Sequence, residues 1–313
     1  MIIVDVLLIS DKYDFTTDFI CIELERKETN YLRLNRDEFH NYKIQINSSY
    51  FDMLITVGEN EYLVSEKHLK SIYFRAPIFL RELNQAENTL ESVLYKEQWM
   101  SFIRNLLIFE NVLWANNPEK TYKAENKIVQ LKYAKKIGFS IPNTTVTNYP
   151  PKLHNEKYII KSLDTAFFNI GGNEGFVYSN IIDKKELQEA NLKLAPVTIQ
   201  DYVFPKTDIR VTVVGNEVFA TDITISGKGV DIDWRKAKDD VQFNTVSLPT
   251  TVKNNCIEIV KQLGLKFGAI DLLKIDKNDY IFLEINPTGE WAWLVHTTGQ
   301  PIPQSFANML VMQ

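Results

Sequence analysis

The sequence predicts an α+β fold, and three observations predict it. Strand-like runs dominate the first ~80 residues. Helical spacing of apolar residues begins only near residue 90. Beyond that point strands and helices mix without the strict alternation of a doubly wound sheet. Strands are expected at 2–9, 19–25, 42–46, 51–57 and 71–74. Leu94, Met100, Ile103, Leu107 and Ile108 recur at three or four and predict a helix over 90–113. This first unit, a small α/β domain, is expected to end near residue 115. A second helix spans 126–137, with Gly138 as its stop. Strands follow after Pro142 and over 157–163, with a return strand at 176–179. Asp183 is placed as the cap of a helix through Lys193, and a strand over 197–203 leads into the last unit. There Gly215-Asn216 turns a hairpin of 209–214 and 217–225, a helix covers 250–263 up to Gly264, and a terminal helix covers 303–312.

Composition bounds the function. The chain has 313 residues, 45% hydrophobic and 24% charged, an ordinary globular profile with room for two or three cores. Its net charge of −5 argues against a large nucleic-acid footprint. Cys21 and Cys256 lie far apart and form no metal motif, as expected of reduced thiols in a cytoplasmic protein. The opening MIIVDVLLIS holds eight apolar residues without a basic flank, so it reads as a strand and not a signal peptide. No apolar run approaches the ~18 residues of a membrane span.

The most informative stretch is FGAIDLLKIDKNDYIFLEINPTGEW, residues 267–291. Two apolar runs flank the polar turn 276–279. Folding the pair about Lys277 and Asn278 sets Asp271 opposite Glu284, and Asn286 lies two residues on, on the same face, roughly 6.6 Å away. Three hard oxygen donors converge, with room for two Mg²⁺ ions roughly 4 Å apart. A solvated edge fits less well, because Ile281, Phe282, Leu283 and Ile285 make both faces apolar. A structural ion pair is the other reading.

Lys161 is a charge within an apolar strand, ahead of a loop with Gly171, Gly172 and Gly175. Backbone N–H groups of such a loop can approach phosphate oxygens, and a surface lysine beside a turn is the alternative. Asp208 and Arg210 share a strand face. Arg210 could hold a transferring phosphate with its planar fork, or the two could form a local surface pair worth about 0.5 kcal/mol. Lys228, Arg235, Lys236 and Lys238 crowd one loop. It could close over an anion, although Asp231, Asp233, Asp239 and Asp240 lie among them.

In order and spacing these elements resemble the ATP-grasp fold, in particular its RimK-like branch, from about residue 120 to the end. Lys127 in ENKIVQL looks like that family's first phosphate-binding lysine and Lys161 like its second. IQDYVF resembles its adenine-contacting hinge, implying Gln200, Asp201, Tyr202 and Val203. Asp201 stands where the family often has Glu. The pattern DIR matches its Asp-x-Arg, implying ribose contact by Asp208 and phosphate contact by Arg210. Trp234-Arg235 and Asn244 look like its second active-site segment, and Asp271, Glu284 and Asn286 match its metal ligands. SIYFRAP around Arg75, the KxENKIVQLKYAKKIGFSIPNTTVTN segment and EINPTGEWAWL with GQPI are similar to the microviridin-type, or graspetide, peptide maturases of that fold.

This resemblance implies a pre-ATP-grasp domain over 1–115, a central subdomain over 116–198 and a C-terminal subdomain with the metal site over 199–313. It implies ATP and two Mg²⁺ ions. The reaction would be cross-linking of Asp or Glu side chains of a ribosomal precursor peptide to Ser, Thr or Lys, with Arg210, Arg235 and Asn286 catalytic. The partner would be a leader-bearing peptide with an acidic core, collected by Arg75, Lys228 and Arg235. A homodimer, with no membrane or nucleic acid, is what the family suggests. A RimK-like amino-acid ligase and a non-catalytic nucleotide-binding scaffold are the alternatives.

Overall fold

The computed structural model describes residues 1–75, 89–163, 179–230 and 240–312, and the backbone of 167–170 and 173–176. The chain opens with strands β1 (Ile2–Ile3) and β2 (Val6–Ser10), helix α1 (Phe15–Arg26) and strand β3 (Tyr31–Asn35). Strands β4 (Tyr42–Ile46), β5 (Met53–Val57), β6 (Asn60–Val64) and β7 (Ser71–Phe74) follow, then helix α2 (Leu90–Asn105) and strand β8 (Leu113–Ala115). All five residues of β2 are buried. It lies in a parallel sheet of order β3-β2-β7-β8, the arrangement that allows a continuous apolar run. A second sheet, β1-β6-β5-β4, packs with α2 on one face of the first through Leu7, Ile9, Ile55 and Ile103.

The strand expected at 19–25 is instead helix α1. Asp14 caps it by accepting from Thr16 N at 3.1 Å. Its buried residues, Thr16, Thr17, Ile20, Glu23 and Leu24, recur at helical spacing. Two threonines and a glutamate on the inner face disguise that stripe when only apolar residues are counted. The helix expected over 90–113 ends at Asn105, a 3₁₀ turn covers Leu106–Ile108, and β8 follows.

Next come helices α3 (Pro118–Ala124) and α4 (Lys127–Ile137), with Gly138 at φ +104° closing α4. Strands β9 (Thr144–Thr147), β10 (Lys157–Lys161), β11 (Phe167–Ile170), β12 (Asn173–Phe176) and β13 (Asn180–Asp183), helix α5 (Lys184–Glu189) and strand β14 (Val197–Asp201) complete this part. Of the return strand expected at 176–179, Phe176 instead ends β12, which pairs with β11, residues 177–178 lie outside the described residues, and the strand that returns along β10 is β13. Helix α5 ends at Glu189, short of Lys193, and the Asp183 side chain makes no capping hydrogen bond. The antiparallel sheet β13-β10-β14-β9 has its own core around Tyr158, Leu187 and Ile199. Residue 198 lies inside β14, and α4 packs not here but on the last sheet.

That last sheet is built from β15 (Thr207–Val214), β16 (Glu217–Ile225), β17 (Lys228–Gly229), β18 (Val241–Thr245), β19 (Phe267–Lys274) and β20 (Tyr280–Asn286). Its order is β17-β16-β15-β19-β20, with β18 also beside β16. Helices α6 (Thr250–Gln262), α7 (Ala292–Thr298) and α8 (Ile302–Val311) accompany it. One face, through Ile209, Val211, Ile270, Phe282 and Ile285, packs on α4 and α6. The other is apolar at one end, where Val214, Phe267 and Ala269 meet Trp291, Leu294 and Phe306. That same core takes in Val6, Leu8, Ile20 and Tyr73, so it joins the N-terminal sheet to the last one. Ser71 Oγ donates to Leu310 O at 2.7 Å across the junction. Cys21 and Cys256 are free thiols, and burial pushes Cys256 up to about 12. No helix among the described residues is long and apolar enough to cross a membrane.

Trp291 is fully buried at this junction and stacks on Phe306 with ring centroids 5.0 Å apart. Trp291→Ala is expected to lower stability by about 3–5 kcal/mol in denaturant unfolding. A loss below about 1 kcal/mol would show that the shared core does not depend on this ring.

Candidate active site

The apolar end of that sheet face is covered by α7 and α8; its charged end is organised by the hairpin β19–β20. The turn is tighter than expected. Ile275 N donates to Asp279 O at 3.0 Å, and Lys274 lies opposite Tyr280, Leu273 opposite Ile281 and Leu272 opposite Phe282. Continued without change, that register would put Asp271 opposite Leu283. A bulge intervenes, and Asp271 lies opposite Glu284, with Ala269 opposite Asn286. Phe282 and Ile285 are both fully buried in one core, yet they are an odd number of residues apart. Only an inserted residue lets both face inward. The expected pairing therefore holds, by a different route: Leu283 is the extra residue.

Neighbouring β15 sets Arg210 opposite Asp271, so Arg210, Asp271 and Glu284 form one row across three strands. Arg210 Nη1 lies 3.1 Å from Asp271 Oδ1, and Lys127 Nζ, from the first residue of α4, lies 3.2 Å from Glu284 Oε2. The row reads cation, acid, acid, cation. Two carboxylates opposite one another on adjacent strands repel, and a cation at each end offsets this. Arg210 Nε and Nη1 are buried without an aligned acceptor among the described residues, so its attachment to Asp271 is electrostatic, not a well-directed hydrogen bond. Its guanidinium also lies 5.9 Å from the centre of the Trp293 ring, which Phe243 meets edge-on. Asn286 adds a carboxamide two residues from Glu284. Among the described residues no three His, Cys, Asp or Glu side chains converge. Asn286 lies opposite Ala269, on the Asp271 face, and two carboxylates with one carbonyl suit a hard divalent cation.

Lys161 stands on a different sheet, at the end of β10. Its Nζ donates to Gln200 Oε1 at 2.9 Å, Gln200 Nε2 donates to Thr144 Oγ1 at 3.0 Å, and that hydroxyl donates to Pro142 O at 2.9 Å. Gln200 is buried inside the ladder, between Ile159 and Thr144. It offers Lys161 a side chain, not the free backbone edge expected of a hinge. Asp201 N is likewise used, donating to Asn143 O at 3.0 Å. Tyr202 and Val203 lie beyond the ladder, and the Tyr202 ring stacks on Phe204 at 5.9 Å.

Asp208 shares the Arg210 face, as alternation requires, and pairs with Lys206. Lys228 is exposed on β17, whose next residue, Gly229, runs so close to Lys206 that a Cβ there would lie 1.7 Å from Lys206 O. Arg235 lies outside the described residues, as do Trp234, Lys236, Lys238 and the glycines at 171 and 172.

Two expected site residues are placed elsewhere. Asn244 lies opposite Asp222, which lies opposite Ile209, so it is on the α4–α6 side of the sheet; its Nδ2 donates to Asp222 Oδ1 at 2.9 Å. Arg75 is not a surface cation for a peptide. Its side chain is buried, and it donates to Asp14 Oδ2 at 2.8 Å, Thr288 O at 2.8 Å, Gly289 O at 3.2 Å and Glu290. Burial opposes its charge, but Tyr73, Asp14 and Glu290 outweigh that and raise its pKa. Thr16 also donates to Glu290, at 2.8 Å, so the start of α1 is tied to the loop after β20.

Two buried amides were not anticipated. Asn116 donates to Phe267 O at 2.9 Å and Pro287 O at 2.8 Å and accepts from Lys266 N and Phe267 N, bracing both strands of the hairpin. Gln130 bonds to Ile285. The only signal available for Gln130 was its place one helical turn after Lys127.

Residues 124–310 match the family model described as a RimK-like ATP-grasp domain. No curated protein sequence matches the chain. Among solved structures, the macrocyclase MdnC of Microcystis aeruginosa MRC, bound with precursor peptide MdnA, superposes with a TM-score of 0.83 at 24% identity, covering 98% of this chain and 99% of that one. A RiPP-associated ATP-grasp ligase of Chryseobacterium gregarium, in complex with ADP and a leader and core peptide, gives 0.80 at 25% identity, covering 99% and 96%. The ATP-grasp ligase PsnB, complexed with minimal precursor, Mg and ADP, gives 0.75 at 16%, covering 98% and 96%. These likenesses extend over the N-terminal unit as well.

The loop after Asn286 folds back on the site. A Cβ on Gly289 would lie 2.5 Å from the Ala269 Cβ and 3.1 Å from the Asn286 Cβ. Gly289→Ala is expected to cost about 1–3 kcal/mol in denaturant unfolding. Ala269→Gly in the same chain should return part of that loss, and no recovery would show that the strain lies elsewhere.

Proposed function

Because the chain belongs to the RimK-like ATP-grasp family, we propose that it is an ATP-dependent carboxylate ligase that closes rings in a ribosomal precursor peptide. The observation that carries this reading is the row Lys127, Glu284, Asp271, Arg210 with Asn286 beside it. Peptide-bound relatives of the same full-length shape support the substrate class.

A carboxylate does not acylate an alcohol or amine at neutral pH until one of its oxygens becomes a leaving group. ATP, as substrate, supplies that: an Asp or Glu side chain of the peptide attacks the γ-phosphorus, ADP leaves, and an acyl phosphate forms. A Ser or Thr hydroxyl or a Lys amine then attacks the acyl carbon, loses its proton and expels phosphate. Such transfers depend on positioning and charge neutralisation more than on covalent help. Arg210 meets the γ-phosphate in the first step and the developing oxyanion in the second. Lys127 and Lys161 hold the phosphates of the nucleotide, with Gln200 aiming Lys161. Asp208 meets the ribose, and Tyr202 and Val203 present the backbone edge to the base. Asp271, Glu284 and Asn286 would hold two divalent ions, which would neutralise charge on the phosphoryl oxygens. Lys228 helps collect a leader-bearing peptide with an acidic core, against a net charge of −5. A homodimer in the cytoplasm completes the reading.

Lys127 and Arg210 rest on the very carboxylates assigned to the ions. As phosphate draws the two cations away, Glu284 and Asp271 are released to bind metal, so nucleotide and Mg²⁺ should favour one another. The affinity of a non-hydrolysable ATP analogue, measured by calorimetry with and without saturating Mg²⁺, is expected to differ by roughly 5–150-fold. Equal affinities would remove this exchange of partners.

Arg210→Ala is expected to lower turnover on the order of 10²–10³-fold, with ADP affinity little changed. Near wild-type turnover would take Arg210 out of the chemistry. Phosphate release that requires an acidic precursor peptide, with loss of one water per cross-link in its mass, is the result expected of the function as a whole. Release driven equally well by free amino acids would favour an amino-acid ligase.

A further inference from the structure

Strand β20 ends the order of its sheet; β19 lies on one side, and on the other, at a single bridge among the described residues, Phe282 N donates to Ser140 O at 2.8 Å. An edge strand leaves every second residue's N–H and C=O pointing outward. Ile285 is such a residue, and it sits between Glu284 and Asn286. Its outward groups meet a side chain: Ile285 N donates to Gln130 Oε1 at 3.0 Å, and Gln130 Nε2 donates to Ile285 O at 2.8 Å. The remaining amide hydrogen goes to Ala124 O at 2.6 Å, at the end of α3. Gln130 is 3% exposed. An N–H can only donate and a carbonyl can only accept, so the amide has one orientation that satisfies all three partners. The side chain stands in for a missing neighbouring strand at a single residue.

The helix that brings Gln130 also brings Lys127, three residues earlier and so on the same side of α4. The bond that fixes Ile285 therefore fixes the height of Lys127 beside Glu284. On the far side of Asn286, Pro287 O accepts from Asn116 Nδ2 at 2.8 Å. Backbone groups both before and after Asn286 are thus held by buried amides from outside the sheet.

We propose that Gln130 is a positioning residue for divalent-ion binding. It would act through the Ile285 backbone to aim the Glu284 carboxylate and the Asn286 carboxamide into the patch that Asp271 shares. This rests on the assignment of those three residues as ion ligands. A side chain that only glued α4 to the sheet would move stability alone. One that aims ligands moves the metal dependence as well, because outer-shell partners of a metal site typically contribute 10–100-fold to its affinity.

The test uses the full chain and a fluorescent ADP, titrating Mg²⁺ and reading the Mg²⁺ concentration at half-maximal nucleotide binding. Gln130→Met keeps the volume and loses all three bonds; its midpoint is expected to rise about 10–100-fold above that of the unaltered protein. Gln130→Glu keeps the acceptor for Ile285 N and should show a smaller rise; it carries the test where Gln130→Met does not fold. Asn286→Ala is the reference for the site itself. A shift in Asn286→Ala with an unaltered midpoint in a folded Gln130 variant overturns the positioning role alone. No shift in Asn286→Ala overturns the ligand assignment and this inference with it.

Discussion

Two carboxylates set directly opposite one another on neighbouring strands repel, and a sheet tolerates such a pair only when something of opposite charge stands close. Here the requirement is met from two directions. Arg210 comes from the next strand of the same sheet and Lys127 from the start of a helix packed at the sheet edge. The position of that helix, the register of the hairpin and the order of the strands together keep four charges in line. The bulge at Leu283 is part of it: without that extra residue, either Glu284 would turn into the core or Phe282 or Ile285 would turn out of it.

The rest of the chain braces this row. Asn116 ties the start of β19 to Pro287. Arg75 and Thr16 hold the loop at 288–290 from the N-terminal unit, and Trp291 seals the core shared by that unit and the last sheet. Burying a guanidinium is expensive unless its donors are used. Arg75 uses donors on two carboxylates and two carbonyls, all at the seam between the units. The N-terminal unit is thus built into the architecture of the site and is not an independent appendage.

Much of this was legible in the sequence, and what was not has physical causes. The pairing of Asp271 with Glu284 could be read because alternation and turn position leave few options, although the bulge that achieves it could not. Arg210 and Asp208 could be placed on one face by their spacing. Arg75 in SIYFRAP looks solvent-facing until the acid that meets it, Glu290, is brought near from the far end of the chain. Asn244 was misplaced because its face depends on the register of β18 on β16, which no local pattern reveals. Helix α1 was missed because its inner face carries Thr16, Thr17 and Glu23, which hydropathy counts as outer. Gln130 and Asn116 do not stand out in the sequence, since a buried amide is indistinguishable from a surface one until its partners are known.

Stability alone does not account for the row. Partly buried ion pairs contribute little on balance, and apolar residues of similar size often serve as well or better. The same sheet face shows that alternative two residues along, where Ala269 is fully buried and joins the core with Val214, Phe267 and Trp291. A sheet able to complete its face with alanine and valine carries arginine, aspartate and glutamate instead, and recruits a lysine from a helix to balance them. Charges kept where apolar residues would fold as well are kept for something that binds them. Under the proposed function, an anionic substrate accompanied by divalent ions would replace both halves of the row at once, taking the cations by its phosphates and leaving the carboxylates to the metal.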